Sequence, residues 1–186
     1  MREVELKAVV DDLTLRRKKL EAAGATLTFE GKLRDARYDV ESRELSARDE
    51  VLRVRRYESR SSIKTVLDWK GPTERQDVYK VRQEISTLVE DYEALTGIFD
   101  NLGFTITAEV DRQIAQYELG GATIRFETYP RMDTLVEVEG NPEAIERAID
   151  ALGMARGNFT SERLLQFVER FEQRTGVRAA TCDREL

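Results

Sequence analysis

MREVELKAVV, residues 1–10, places three charged side chains, Glu3, Glu5 and Lys7, on one side of an alternation and Val4, Leu6 and Ala8 on the other. Strand side chains point to opposite faces with a period of two, so the stretch reads as a β-strand with one charged and one apolar face. Alone, it is an amphipathic strand with a wet side. The same design then recurs. Arg53 and Arg55 oppose Leu52 and Val54; Lys80, Arg82 and Glu84 oppose Val81 and Ile85; Arg125 and Glu127 oppose Ile124 and Phe126; Glu137 and Glu139 oppose Val136 and Val138. An ordinary antiparallel sheet turns a loosely mixed polar face to water. Here Arg and Glu dominate that face. If helices cover the apolar side, the charged faces curl toward one another and line the inside of a closed barrel.

The rest of the chain supplies those helices. Residues 11–24 read as a helix with acidic residues at its start, apolar Leu13, Leu15 and Leu20, and Gly24 as its stop. Residues 27–40 form an irregular strand and 41–50 a polar loop. A hairpin turns across Ser59 to Ser62, residues 91–103 give a second helix, and a meander runs from Phe104 to Gly140 with a turn at Gly120 and Gly121. Two closing helices follow, with Asn141 and Ser161 as candidate caps. The expected architecture is α+β: one domain over residues 1–176 and a polar tail over 177–186.

Composition limits the chemistry. The chain has 186 residues, 40% apolar and 35% charged, with a net charge of −6 and a pI near 5.0, which fits a folded protein that binds no DNA. No apolar run is long enough for a membrane span and no signal peptide is visible, so a cytoplasmic location is expected. Histidine is absent, which removes His-based acid–base catalysis, Ser-His-Asp triads and His-ligated zinc. The single cysteine, Cys182, lies in the polar tail without the surroundings of a reactive thiol. Carboxylates, Lys, Arg and Tyr must carry any chemistry, and an all-carboxylate site suits hard cations.

Confining many charges costs several kcal/mol for each unpaired ion, on the order of the penalty for a desolvated carboxylate. A charged ligand together with a metal offsets that cost: carboxylates hold the cation, and the cation with Arg and Lys holds a polyphosphate. Glu3 and Glu5 then share a divalent ion, and Lys7 faces the anion that the ion carries.

The ordered motifs resemble the CYTH superfamily, the triphosphate tunnel metalloenzymes. They are the E-x-E-x-K of Glu3 to Lys7, the L-R-x-R of Leu52 to Arg55, the K-G-P of Lys70 to Pro72, the R-x-E of Arg82 to Glu84, Arg112 on a long late strand, and the E-x-E of Glu137 to Glu139. The resemblance runs from residue 2 to about 140. It implies a closed eight-stranded antiparallel β-barrel, Mg²⁺ or Mn²⁺, and a small triphosphate such as tripolyphosphate, thiamine triphosphate or ATP; a homodimer is compatible with it. Its implied metal ligands are Glu3, Glu5, Glu137 and Glu139. Lys7, Arg53, Arg55, Lys70, Arg82, Arg112 and Arg125 grip phosphate, and Glu5, Glu84 and Lys70 are the candidate catalytic groups. The chain departs from the family pattern at Arg37, where a tyrosine is common, at Val110, where a lysine is usual, and at Glu127, where an aspartate is usual. Asp68 and Trp69 read as structural. Three activities remain: hydrolysis of the terminal phosphoryl group, which is favoured, cyclisation of ATP to cyclic AMP and pyrophosphate, and polyphosphate binding without turnover.

Overall fold

The computed structural model describes residues 2–76 and 79–186, with side chains over 5–74 and 81–186. Glu3, expected to ligate metal, and Lys80 therefore have side chains outside the described residues. The strands are β1 (Arg2–Val9), β2 (Thr26–Val40), β3 (Val51–Glu58), β4 (Ile63–Lys70), β5 (Glu74–Gln76), β6 (Tyr79–Val89), β7 (Phe104–Leu119), β8 (Ala122–Thr128) and β9 (Leu135–Glu139). The helices are α1 (Leu13–Ala22), α2 (Glu44–Ala47), α3 (Tyr92–Asn101), α4 (Pro142–Leu152) and α5 (Leu164–Thr175).

Eight strands form an antiparallel sheet in the order β1-β9-β8-β7-β2-β3-β4-β6, and the short β5 hems β6. β1 divides its pairing along its length. Residues 5–9 pair with β9 and residues 2–5 with β6, so the sheet curls until its first strand meets β6. Local chemistry sets the turns. Gly120 and Gly121 both adopt positive φ, at 56° and 87°, which matches the two-residue hairpin between β7 and β8. Ser59 N–H donates to the Ser62 carbonyl at 2.9 Å and closes the β3–β4 hairpin.

The apolar faces point outward and helices cover them. α4 carries Ala144, Ile145, Ala148, Ile149 and Leu152 on one stripe, all buried against Leu6, Ala8, Ile124, Phe126, Val136 and Val138 of the sheet, and α1 adds Leu20. Each large side chain so buried contributes roughly 1.5–3 kcal/mol. α3 packs Phe99 on Tyr38 and Val54 over the opposite side. Asp12, Asp91 and Asn141 cap α1, α3 and α4 by accepting from the backbone N–H three residues on.

Two expectations are corrected. Ser161 does not cap α5, which begins after Arg163; the Arg163 N–H donates instead to Gln166 Oε1 at 3.0 Å. The polar loop contains α2, because buried Asp39 accepts from the N–H groups of Leu45 and Ser46 and from the Ser46 hydroxyl. The segment 177–186, read as a polar tail, lies against the sheet. Ala180 exchanges two backbone hydrogen bonds with Arg131, the Thr181 carbonyl accepts from Asp111 N–H, and Ala179, Ala180 and Cys182 are buried. Small side chains between polar ones let the segment lie flat on the sheet.

Candidate functional site

Strand parity fills the concave side of the sheet with charge, and register decides how the charges meet. Arg53 of β3 lies opposite Asp68 of β4, Lys70 opposite Glu84 of β6, and Glu137 of β9 between Lys7 of β1 and Arg125 of β8. A cavity of about 740 Å³ opens on this side. Its deep wall includes Glu5, Lys7, Asp35, Arg53, Lys70, Arg82, Arg112, Arg125, Glu127 and Glu137. α5 and the final residues border the mouth through Arg163, Leu164, Leu165, Val168 and Arg178. Arg163 fixes that cover by donating to Asp49 Oδ1 at 2.8 Å.

On the β1–β9–β8 side the acids gather around two cations. Lys7 Nζ lies 2.5 Å from Glu137 and 3.2 Å from Glu5. Arg125 donates to Glu137 and, at 3.1 Å, to Glu127. Burial disfavours charge on Lys7, but Glu137 and Glu5 outweigh it and raise its pKa. Burial likewise opposes the Glu137 carboxylate, and Arg125 and Lys7 reverse this to hold its pKa well below the usual range. The Tyr129 hydroxyl donates to Glu127 at 2.6 Å, and burial first, then the neighbouring Glu127 charge, pushes its own pKa well up.

Along β7, β2, β3, β4 and β6 the cations outnumber the acids that hold them. Arg112 donates to Glu127 at 2.9 Å and to Asp35 at 3.1 Å. Arg82 donates to the backbone carbonyls of Gly71 and Asp49, which ties the K-G-P segment to the site. Asp68 is wholly enclosed and accepts from Arg55, from Arg53 at 3.1 Å and from Ser86 at 2.6 Å. Glu84 lies within 3.5 Å of Arg53, Arg55 and Lys70.

Of the residues expected at the site, Glu5, Lys7, Arg53, Lys70, Arg82, Arg112, Arg125 and Glu137 border one cavity. Arg55, Glu84 and Glu139 lie on the same face of their strands but do not border it. Asp35, Asp49 and Tyr129 join the site without having been singled out from sequence. The alternation of Asp35 with Arg37 was the available signal, in a strand whose irregular apolar pattern obscured it. Buried Cys182 faces Asp111 at 3.2 Å, and burial raises its thiol pKa, the state of an inert cysteine.

Among the described residues no three carboxylates converge as a ready metal site. The buried pair Glu5 and Glu137 nevertheless fits a hard cation. Both are oxygen donors on the cavity, and the Lys7 ammonium already bridges them, which marks the point as one that attracts positive charge.

The CYTH domain family model matches residues 1–150. Among solved structures, the PH1819 protein of Pyrococcus horikoshii OT3 is similar with a TM-score of 0.74 and 24% identity, over 90% of this chain and 98% of that one. A candidate adenylate cyclase from Vibrio parahaemolyticus is similar with a TM-score of 0.75 and 16% identity, over 90% and 97%. The candidate adenylyl cyclase HpAC1 of Hippeastrum, described as having a dominant triphosphatase activity, reaches a TM-score of 0.54 at 13% identity, over 98% and 90%. These likenesses concern the fold. The curated proteins contain no match.

Proposed function

The chain belongs to the CYTH domain family, and from that membership and the geometry of the cavity we propose that it is a divalent-metal-dependent enzyme hydrolysing a triphosphate inside a β-tunnel formed by the curled sheet. The observation that carries this reading is a single cavity bordered both by the cations Lys7, Arg53, Lys70, Arg82, Arg112 and Arg125 and by the carboxylates Glu5, Glu127 and Glu137. A polyanion is matched to the cations and a hard cation to the carboxylates.

Glu5 and Glu137 would hold Mg²⁺ or Mn²⁺, with Glu3 and Glu139 supporting them. Magnesium is commonly held by one or two carboxylates and completed by water and substrate phosphates, so a pair suffices. When bound, the metal neutralises charge developing on the transferred phosphoryl group. The chain's own contribution is placement. Arg53, Arg82, Arg112, Lys70 and Lys7 hold the phosphate oxygens from fixed directions, and Arg125 locks Glu137. Phosphoryl transfer depends mainly on such positioning and charge stabilisation. Arg55 supports the site through Asp68. Glu5 borders the cavity whereas Glu84 is engaged by three cations, which supports Glu5 as the group orienting the attacking water.

A second reading, cyclisation of ATP, has support from Leu164, Leu165 and Val168 of α5, an apolar border on which a nucleoside could rest. The test is incubation with tripolyphosphate, thiamine triphosphate and ATP under Mg²⁺ and Mn²⁺ with identification of all products. Orthophosphate and a diphosphate are expected; cyclic AMP with pyrophosphate would replace hydrolysis by cyclisation, and no turnover of any of them would leave binding alone. Glu137→Gln should lower turnover by roughly 10²-fold or more, on the scale of losing a charge-stabilising group. Unchanged turnover at limiting metal would remove Glu137 from the site.

A further inference from the structure

Where two charged side chains meet across strands on the concave face, most pairs are complementary: Asp35 with Arg55, Arg53 with Asp68, Lys70 with Glu84, and Lys7 and Arg125 with Glu137. Two pairs of described side chains break the rule. Glu5 lies opposite Glu139, beside Lys7 on the acidic side of the cavity. The other is Arg37, directly opposite Arg53. Like charges so placed repel. Arg53 has relief in Asp68 at 3.1 Å, Glu84 at 3.4 Å and Asp35 at 3.9 Å.

Among the described residues Arg37 has no such relief. Its guanidinium makes no side-chain hydrogen bond or ion pair with any described residue, and its other cross-strand neighbour is Ala108. Val110, two residues on in β7, brings no charge either, and the Glu109 carboxylate between them, which also borders the cavity, is engaged by Arg184 at 2.6 Å. Asp35 is the opposite charge acting on it, and Arg112 and Arg53 already share that carboxylate. Arg37 borders the cavity yet is exposed, whereas Arg82, Arg112 and Arg125 are buried in it. It is therefore a cation at the mouth, repelled by the deeper ones and accessible to whatever enters.

We propose that Arg37 binds the outermost phosphate group of a bound triphosphate and thereby makes the site select triphosphate over diphosphate. The proposal rests on the triphosphate reading above. Two phosphate groups are matched by the deep cations, and a third extends toward the mouth, where its charge satisfies Arg37 and relieves the repulsion with Arg53. Guanidinium is suited to the task because its planar fork can give two parallel hydrogen bonds to one phosphate.

The test is calorimetric titration of the full chain with tripolyphosphate and with pyrophosphate in metal-free buffer, where no turnover competes, for wild type, Arg37→Ala and Arg37→Lys. Arg37→Ala should weaken tripolyphosphate roughly 10- to 100-fold, the size of one lost charge-assisted contact, and leave pyrophosphate unchanged. Arg37→Lys, which keeps the charge but loses the fork, should fall between wild type and Arg37→Ala, and the empty Arg37→Ala protein should melt no lower than wild type. Equal tripolyphosphate affinity in wild type and Arg37→Ala, or an equal proportional loss for both ligands, would overturn the assignment. Failure of the wild type to bind tripolyphosphate both in this buffer and in a parallel titration with Mg²⁺, with products monitored, would overturn the triphosphate reading and this proposal with it, and it is seen before any substitution is made.

Discussion

Asp68 is a charge with no exposure to solvent, held by two guanidinium groups and a hydroxyl. Burial works to raise its pKa, and Arg55 and Arg53 overcome that to lower it. Such a group organises a site without touching a ligand, because it fixes where Arg53 and Arg55 point. Removing one partner of a buried ion pair leaves the other uncompensated, which typically costs about 3–5 kcal/mol. Asp68→Ala should therefore destabilise by about that amount in urea denaturation, and adding Arg55→Met should recover part of the loss. A loss below about 1 kcal/mol, the scale of a surface pair, would mean that the arginines are held by other means. The same geometry changes the expectation for Arg55, which reads from sequence as a phosphate ligand but meets Asp68 and Glu84 within its own sheet.

At the scale of elements, α4 and α5 do different work although both close the chain as amphipathic helices. α4 is pinned by a stripe of five buried apolar side chains and buttresses the strands that carry Glu5, Arg125 and Glu137. α5 buries Phe167 against Tyr129 and Leu135 and turns Leu165 toward the mouth, 59% exposed. Ile149→Ala should cost about 2–5 kcal/mol through lost burial and a residual cavity. Because the site faces the other side of the sheet, tripolyphosphate affinity measured well below the melting temperature should be unchanged. A large drop in affinity would show that the helix positions the site rather than only stabilising it.

For the whole molecule, the concave charge makes stability depend on pH. Burial pushes the Asp35 carboxyl up, and Arg53, Arg112 and Arg55 together pull it well below the ordinary carboxylate range. A carboxylate with a depressed folded-state pKa contributes stability that is fully present above its unfolded value, about 3.9, and is lost as pH falls below that toward the folded value. Urea unfolding of the wild type should thus show little dependence on Asp35 near neutral pH and a decline below about pH 4. Asp35→Asn should be less stable at pH 7 and show a shallower acid decline. Equal slopes in the two proteins would contradict the assignment of that stability to Asp35.

The sequence by itself determined the strands, the parity of their charges and the helices that cover the apolar side, because a period of two or of 3.6 is a local property of the chain. The recurrence also put Glu5, Lys7, Arg53, Arg125 and Glu137 on the charged faces of their strands, and these border one cavity. What only the tertiary structure decided was pairing. Asp35 and Asp68 became the anchors of Arg112 and Arg55, Lys7 bridged Glu5 and Glu137, Arg37 was left facing Arg53, and residues 177–186 docked beside Asp111. The physical reason is that alternation fixes the face on which a charge lies but not its neighbour. That neighbour depends on strand order and register, including the shift between β2 and β7 at Arg37 and Tyr38, which arise when strands far apart in the chain come together.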